Sequence, residues 1–343
     1  MNRKNLVSGA ALLAGFFASS YAGAFNFFTC NGNKVVWEEP FQMVRNLPSM
    51  PPGGSHDASV QNAVDRWNGV QGMANMVSVS PFFTLGNSVT TGDGLNDVAV
   101  SPRSAIGGNN GLTLMINSWC VLSSSWGEAD VFTASDLNFA AVSDETSLAT
   151  SGRMTFLHEF GHAHGLAHAQ GYNHMRATQP RPLVGGTGTH VDVLPDDAKG
   201  GRFLYPNGNS EVNLFASAHR RTANDAIVAN NSGTLTFCSK GGSNLTINAT
   251  VGNNGTVNVT QTERWWLTPN KNGHNGGVFL GQWTNGTFPA SSVITRSLTF
   301  KLPALEPDTY FLFHGVDVLD EATESREDDN SAREALTIKI INC

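Results

Sequence analysis

Charge is scarce in this sequence. Asp, Glu, Lys and Arg make up 14% of its 343 residues, and the net charge is −7. No stretch gathers Lys and Arg into a cluster, so a nucleic-acid groove, which needs a basic stripe, is not expected. Long apolar runs are missing after the N-terminus, so no later segment is expected to span a membrane. Cysteine is sparse as well. Cys30, Cys120, Cys238 and Cys343 are the only four, and none stands in a C-x-x-C spacing, which argues against zinc ribbons and dithiol redox centres. No short-period repeat is present.

What is there begins with a signal-like start. Arg3 and Lys4 precede LVSGAALLAGFFASSYAG, and Ala22-Gly23-Ala24 is an A-x-A site. This reads as a secretory signal peptide over 1–24, with a mature chain from Phe25, exported in the bacterial manner to the extracellular side. Export permits disulfides. Cys30–Cys120 with Cys238–Cys343 is the simplest of the three pairings, because it keeps each pair on one side of a composition change near residue 208.

With 343 residues, of which 40% are hydrophobic and 36 are Gly, the chain has enough apolar residue for two cores. KVVW (34–37) reads as a first strand. SHDASVQNAVDRWNGV (55–70) reads as a helix, with Val60, Ala63, Val64 and Trp67 on one face and Ser55 or Asp57 as cap. From Val77 to Phe139, short apolar runs alternate with Gly/Asn/Ser turns, as in a sheet. SGRMTFLHEFGHAHG follows as a helix with Ser151 as cap, and PDDAKGGRFLYP (195–206) as a last helix opened by a proline. After 208, segments such as LTINATV, TVNVTQTERWWL and ALTIKIIN alternate in the manner of an antiparallel β-sandwich.

HEFGHAHGLAH (158–168) carries the chemistry. On a helix His158 and His162 lie about 40° apart, one turn above the other, and can grip one cation from a single face. Glu159 sits about 100° round, beside a metal rather than on it. Gly165 can end the helix in a positive-φ turn, and His168 can then return as a third ligand. Three neutral imidazoles leave a zinc ion its full charge, which strongly acidifies a bound water. His164, about 200° from His162, faces elsewhere and reads as packed.

His158, Glu159, His162, Gly165 and His168 match H-E-x-x-H-x-x-G-x-x-H, and the chain here resembles the metzincin zinc peptidases. Met175 stands where that family's methionine turn is expected. Asp196, Asp197, Gly200, Leu204 and Tyr205 resemble the closing helix of its matrixin branch, as do KVVW, the helix ending in RWN and GEADVF upstream. The resemblance implies an α+β fold. It would comprise a metzincin-type catalytic domain over 25–207, with a mixed twisted sheet, three helices and an active-site helix, followed by an all-β immunoglobulin-like sandwich over 208–343. It implies one catalytic Zn(2+), peptide-bond hydrolysis with Glu159 as general base, and a protein or peptide substrate extended along an edge strand, for which LTLMINSW (112–119) is the candidate. The sequence departs from the family near the methionine turn, where Pro180 is displaced. Little chain separates Phe25 from the first strand, so a prodomain that blocks zinc has no room. Cys30 reaching the metal is the rival to its disulfide.

Several residues keep two readings. His174 lines the pocket, or else faces solvent or supports the site from behind; His190 reads as a loop residue rather than a ligand. GDGLND (92–97) is a turn or a calcium loop. The stretch VGNNGTVNV and the acidic VDVLDEATESREDDNSA resemble CARDB-type adhesion sandwiches. Trp265, Trp266 and Trp283 then form either core or a binding face for a cell-surface or matrix ligand. Asp317, Asp320 and Asp328-Asp329 form either a solvated turn or a Ca(2+) site. Three functions remain open: a secreted zinc endopeptidase, a zinc hydrolase of cell-wall peptides, and an adhesion protein whose zinc domain is structural.

Overall fold

A computed structural model describes residues 25–30, 32–47, 49–70, 76–85, 93–116, 127–139, 150–178, 181–182, 192–206, 208 and 210–343. The expected signal peptide, Cys120, Pro180 and His190 lie outside these residues, as does the side chain of Cys30.

The first part of the chain opens with three two-residue strands, β1 (Asn26–Phe27), β2 (Thr29–Cys30) and β3 (Asn33–Lys34). KVVW is therefore mostly not strand. Its Val35 and Trp37 are buried, but their backbone is held by other partners. The Val35 amide donates to the Phe28 carbonyl, and the Trp37 amide to the Tyr205 hydroxyl. A five-stranded sheet follows, from β4 (Phe41–Leu47), β5 (Val77–Leu85), β6 (Asn96–Ser101), β7 (Gly111–Ile116) and β8 (Glu128–Ala134). Its order is β5-β4-β6-β8-β7. The first four strands pair in parallel and β7 joins β8 antiparallel as an edge. Val98, Ala99 and Val100 of β6 are all buried, as a central parallel strand covered on both faces requires.

Helix α1 (Ser55–Asn68) buries Val60, Ala63, Val64 and Trp67 against α2 (Gly152–Ala163). Gly54 is the N-cap of α1 and makes no side-chain cap bond. Asp57, expected as a cap, instead accepts from the Gly53 amide and pairs with Arg45 of β4. Ser151 does cap α2, accepting from the Met154 amide at 3.2 Å. Two indoles pin α2 from outside: Trp67 donates to the Leu157 carbonyl at 2.9 Å and Trp37 to the Ala163 carbonyl at 2.7 Å. Removing either ring would delete a buried hydrogen bond and leave a cavity, at about 3–5 kcal/mol. After β9 (Leu166–Ala167), α3 (Pro195–Leu204) completes this part. No described helix is long and apolar enough to cross a membrane.

The second part contains no α-helix among the described residues. Its strands are β10 (Leu214–Ser217), β11 (His219–Arg221), β12 (Ile227–Ala229), β13 (Ser232–Cys238), β14 (Asn244–Asn253), β15 (Val259–Thr268), β16 (Val278–Phe288), β17 (Ser292–Lys301), β18 (Thr309–Gly315) and β19 (Ser331–Ile341). They make a three-stranded sheet, β10-β14-β17, and a five-stranded sheet, β13-β19-β18-β15-β16, with β11-β12 a separate hairpin. The two sheets share a core of Leu245, Ile247, Trp265, Leu267, Leu312 and Ile338, a sandwich-like arrangement. It is not wholly antiparallel, because β13 runs parallel to β19. Cys238 and Cys343 form a disulfide, with Cα atoms 5.7 Å apart, that ties the end of β13 to the chain end beyond β19.

The expected fold class is corrected. An α+β chain with a metzincin-type domain ahead of an immunoglobulin-like sandwich is overturned by the balance of elements: among the described residues, 43% are strand against 15% helical, with three α-helices. The helical segments are short, at 14, 12 and 10 residues, and every other regular segment of length is strand. The protein is mostly β.

Candidate metal centre

The helical spacing brings three imidazoles to one point. The Nε2 atoms of His158, His162 and His168 lie 3.1–3.2 Å from one another. The local chain explains how. Helix α2 ends at Ala163, and Gly165 takes φ 103°, a conformation a side chain would strain. The chain then reverses through β9, and His168 meets the helical pair. His158 and His162 have their other ring nitrogen at a backbone carbonyl: Nδ1 of His158 is 2.6 Å from the His174 oxygen, and Nδ1 of His162 is 2.7 Å from the Leu166 oxygen. A carbonyl only accepts, so each Nδ1 carries the proton and each Nε2 keeps its lone pair. Burial, and then the charge of Arg181, lower the pKa of His158 well below the usual histidine range. Burial brings His162 down to about 4. These are neutral donors, and the group can hold a metal ion.

Glu159 is 5% exposed and lines the same cavity as the three histidines. Thr113 of β7 donates to its carboxylate at 2.7 Å and sits 3.0 Å from its backbone oxygen. Burial raises Glu159 to about 7, against the Thr113 bond and the Arg181 charge. Gly111 makes room for it, since a Cβ there would lie 2.5 Å from Oε1 of Glu159 and 2.6 Å from Thr155. The cavity, about 1010 Å³, runs along β7 and is also lined by Leu112, Met115, Ala177 and Arg181. The edge strand guessed from LTLMINSW is thus β7 over 112–116, and 117–119 fall outside the described residues.

Met175 lies beneath the helix. It is 2% exposed, and a Cβ on Gly161 of α2 would meet its sulfur at 2.3 Å. The loop that carries it is anchored by Asp197 of α3, which accepts from the His174 and Met175 amides at 2.7 and 3.2 Å. His174 therefore contributes its backbone from behind rather than a ring to the cavity. His164 is fully buried, its Nδ1 at the Phe160 carbonyl and its ring against Trp67 and Phe41. It takes no part in the triad. The methionine loop is also held by the second part of the chain. The Tyr172 hydroxyl donates to the His219 carbonyl at 3.0 Å and shares a 2.6 Å hydrogen bond with the Ser217 hydroxyl. Arg176 pairs with Asp225 of the β11–β12 hairpin at 3.1 Å.

Sequence reasoning missed Thr113, Gly111, Arg181 and Asp225. Only the G-L-T of an edge strand near the histidine helix hinted at the first two.

Away from this centre, Asp317, Glu324 and Glu327 make a second group able to hold a metal ion. Asp93 of GDGLND accepts from the Leu95 amide, as in an ordinary Asx turn. Trp265 is core, fully buried. Trp283 packs against the same core under Arg296 at 3.7 Å, and Trp266 stacks on His274.

No family model matches the chain, and no curated protein matches it. Solved structures give a likeness over about two fifths of it. The solution structure of a CARDB domain from Pyrococcus furiosus is 13% identical, covering 39% of this chain and 98% of that one, with a TM-score of 0.28. The crystal structure of the same domain, described as a complex with di-metal ions, gives 14%, 40%, 100% and 0.27. A family 123 glycoside hydrolase from Clostridium perfringens is 9% identical over 39% of this chain and 28% of its own, with a TM-score of 0.22. At these scores the likeness is a weak CARDB-like match and carries no argument about function. The metzincin resemblance of the histidine motif gains no support from these structures.

Proposed function

We propose that the chain is an exported zinc-dependent endopeptidase, with the division between its two parts at 207/208. One observation carries the reading: three Nε2 atoms within 3.2 Å of each other, with Glu159 in the same cavity. Three nitrogens each ~2.0–2.1 Å from one tetrahedral ion stand ~3.3 Å apart, so the donor set fits zinc in number, type and spacing. Bound there, zinc supplies Lewis acidity toward a carbonyl and toward water. Glu159 acts as general base, taking a proton from water at its carboxylate and returning it to the leaving amine. Thr113 orients that carboxylate, and Gly111 lets it lie against the edge strand. Strand β7, the edge of its sheet among the described residues, would pair with an extended peptide.

The test is cleavage of casein by the purified mature chain, alongside metal analysis. Chelator-sensitive cleavage is expected, lost in Glu159→Ala while one zinc per chain remains. Folded, zinc-loaded wild type that cleaves neither casein nor cell-wall peptides would overturn the reading in favour of a structural metal.

A further inference from the structure

One fixed cation faces the cavity beside the histidines. Arg181 is 5% exposed and is the only Lys or Arg on the cavity's described lining, as Glu159 is its only carboxylate. The guanidinium is poorly satisfied. One terminal nitrogen donates to the Arg176 carbonyl at 3.0 Å, while Nε is buried without a partner. No carboxylate among the described residues lies within ion-pairing distance of it. Glu159 and Asp197 act on it only as nearby charges, without contact, and the Glu159 carboxylate is engaged by Thr113.

A buried cation with no carboxylate in contact is costly, and it is retained where something else can supply the opposite charge directly. Charge counting at the centre points the same way. Three neutral imidazoles cancel none of a zinc ion's two charges, Glu159 contributes one negative charge, and Arg181 adds a positive one. The cavity is therefore electropositive, in a protein whose net charge is −7. An arginine fork matches a carboxylate bidentately, and the match is strongest where water is excluded.

Resting on the peptidase reading, we infer that Arg181 determines specificity by pairing with a carboxylate on the substrate residue next to the scissile bond. The carboxylate has two sources, an Asp or Glu side chain within a peptide or the free α-carboxylate of a peptide's last residue. The first makes the protein an endopeptidase selective for acidic residues. The second makes it a trimming enzyme that acts at chain ends.

The experiment compares kcat/KM for peptides identical but for Glu or Gln beside the cleaved bond, each with a free or an amidated C-terminus. The wild type should prefer the carboxylate by at least about tenfold in one arm. A Glu/Gln difference identifies the side-chain source, and a free/amide difference the terminal one. Arg181→Gln should bring the ratio close to one, and Arg181→Lys should keep part of it. A second readout needs no turnover: zinc-loaded Glu159→Ala should bind the uncleaved carboxylate peptide about tenfold more tightly than its amide. A wild-type ratio near one in both arms, or a ratio untouched by Arg181→Gln, overturns the inference while leaving the peptidase standing. A wild type that cleaves no peptide overturns the peptidase reading instead, and the binding comparison still decides the role of Arg181.

Discussion

Among the described residues, each part of the chain carries one group of three side chains able to hold a metal, and the two differ in what their donor atoms already do. In the histidine group, two rings are tethered at Nδ1 by backbone carbonyls, which leaves Nε2 free and aimed. In the acidic group, the oxygens already accept hydrogen bonds. Asp317 receives the Glu321 amide at 2.7 Å. Glu324 receives the Leu214 amide and the Asn330 side chain, and Glu327 the same Asn330 at 2.8 Å. Both groups bring their donor atoms within 4.8 Å of one another; the second layer of partners separates a site from a knot that folds a loop. The histidine group also opens on a cavity that contains the Glu159 carboxylate.

The largest expected effects attack that contrast directly. Glu159→Ala should cut kcat by roughly 10²–10⁴-fold with zinc content unchanged, whereas His162→Ala should lose the metal itself. If Glu159→Ala kept activity within tenfold of wild type, Glu159 would not be the base. Thr113→Val tests the second layer of the base in the same assay. It removes one hydrogen bond to the carboxylate and keeps the side chain's shape, so about a tenfold loss in kcat with little change in KM is expected. An unchanged kcat would show that the edge strand merely packs beside Glu159.

A smaller effect concerns how far the two parts are independent. Arg176 on the methionine loop donates to the Asp225 side chain and to its carbonyl. Asp225 sits at φ 62°, where Asn is tolerated as well as Asp. Asp225→Asn therefore removes the charge without adding backbone strain. It should cost about 1–2 kcal/mol, because a largely buried guanidinium loses its counter-ion. The assay is urea unfolding followed by activity of the folded fraction. A stability unchanged from wild type would mean that the second part only adjoins the metal centre.

The histidine motif was legible because everything it needs is local. The four-residue spacing on a helix, the serine cap and the glycine turn act within one short stretch, and each is found where the residues place it. Thr113, Gly111 and Arg181 were not legible, because they reach Glu159 through strand pairing and a loop return that no local pattern encodes. The fold class failed for a related reason. Helical segments announce themselves by periodicity, and the motif's resemblance to a known family drew weight toward helix. The short, turn-separated strands of 77–139 and the long sandwich strands dominate the structure instead. Trp265 and Trp266 show the limit at single-residue scale. They are adjacent in sequence, yet one is core and the other stacks on His274, because a strand turns successive side chains to opposite faces.

The smallest effect is a titration in the acidic group, and its sign follows from burial. Burial raises Glu324 to about 8, above its ordinary 4.5, with the neighbouring charge of Glu327 adding to the rise. A carboxyl with a raised folded pKa binds its proton more tightly when folded than when unfolded. Its contribution to stability is therefore full below about pH 4.5 and declines as pH rises toward 8, then stays flat. Glu324→Gln removes the ionisation but keeps an acceptor for the Leu214 amide. Its thermal midpoint should track the wild type near pH 5 and exceed it near pH 8, each kcal/mol appearing as about 2–4 °C. Parallel curves for the two proteins across that range would show that Glu324 ionises freely. A calcium-dependent rise of the wild-type midpoint at pH 8, absent in Glu324→Gln, would break the comparison from the other side, since the acidic group would then be a metal site despite the hydrogen bonds its oxygens accept.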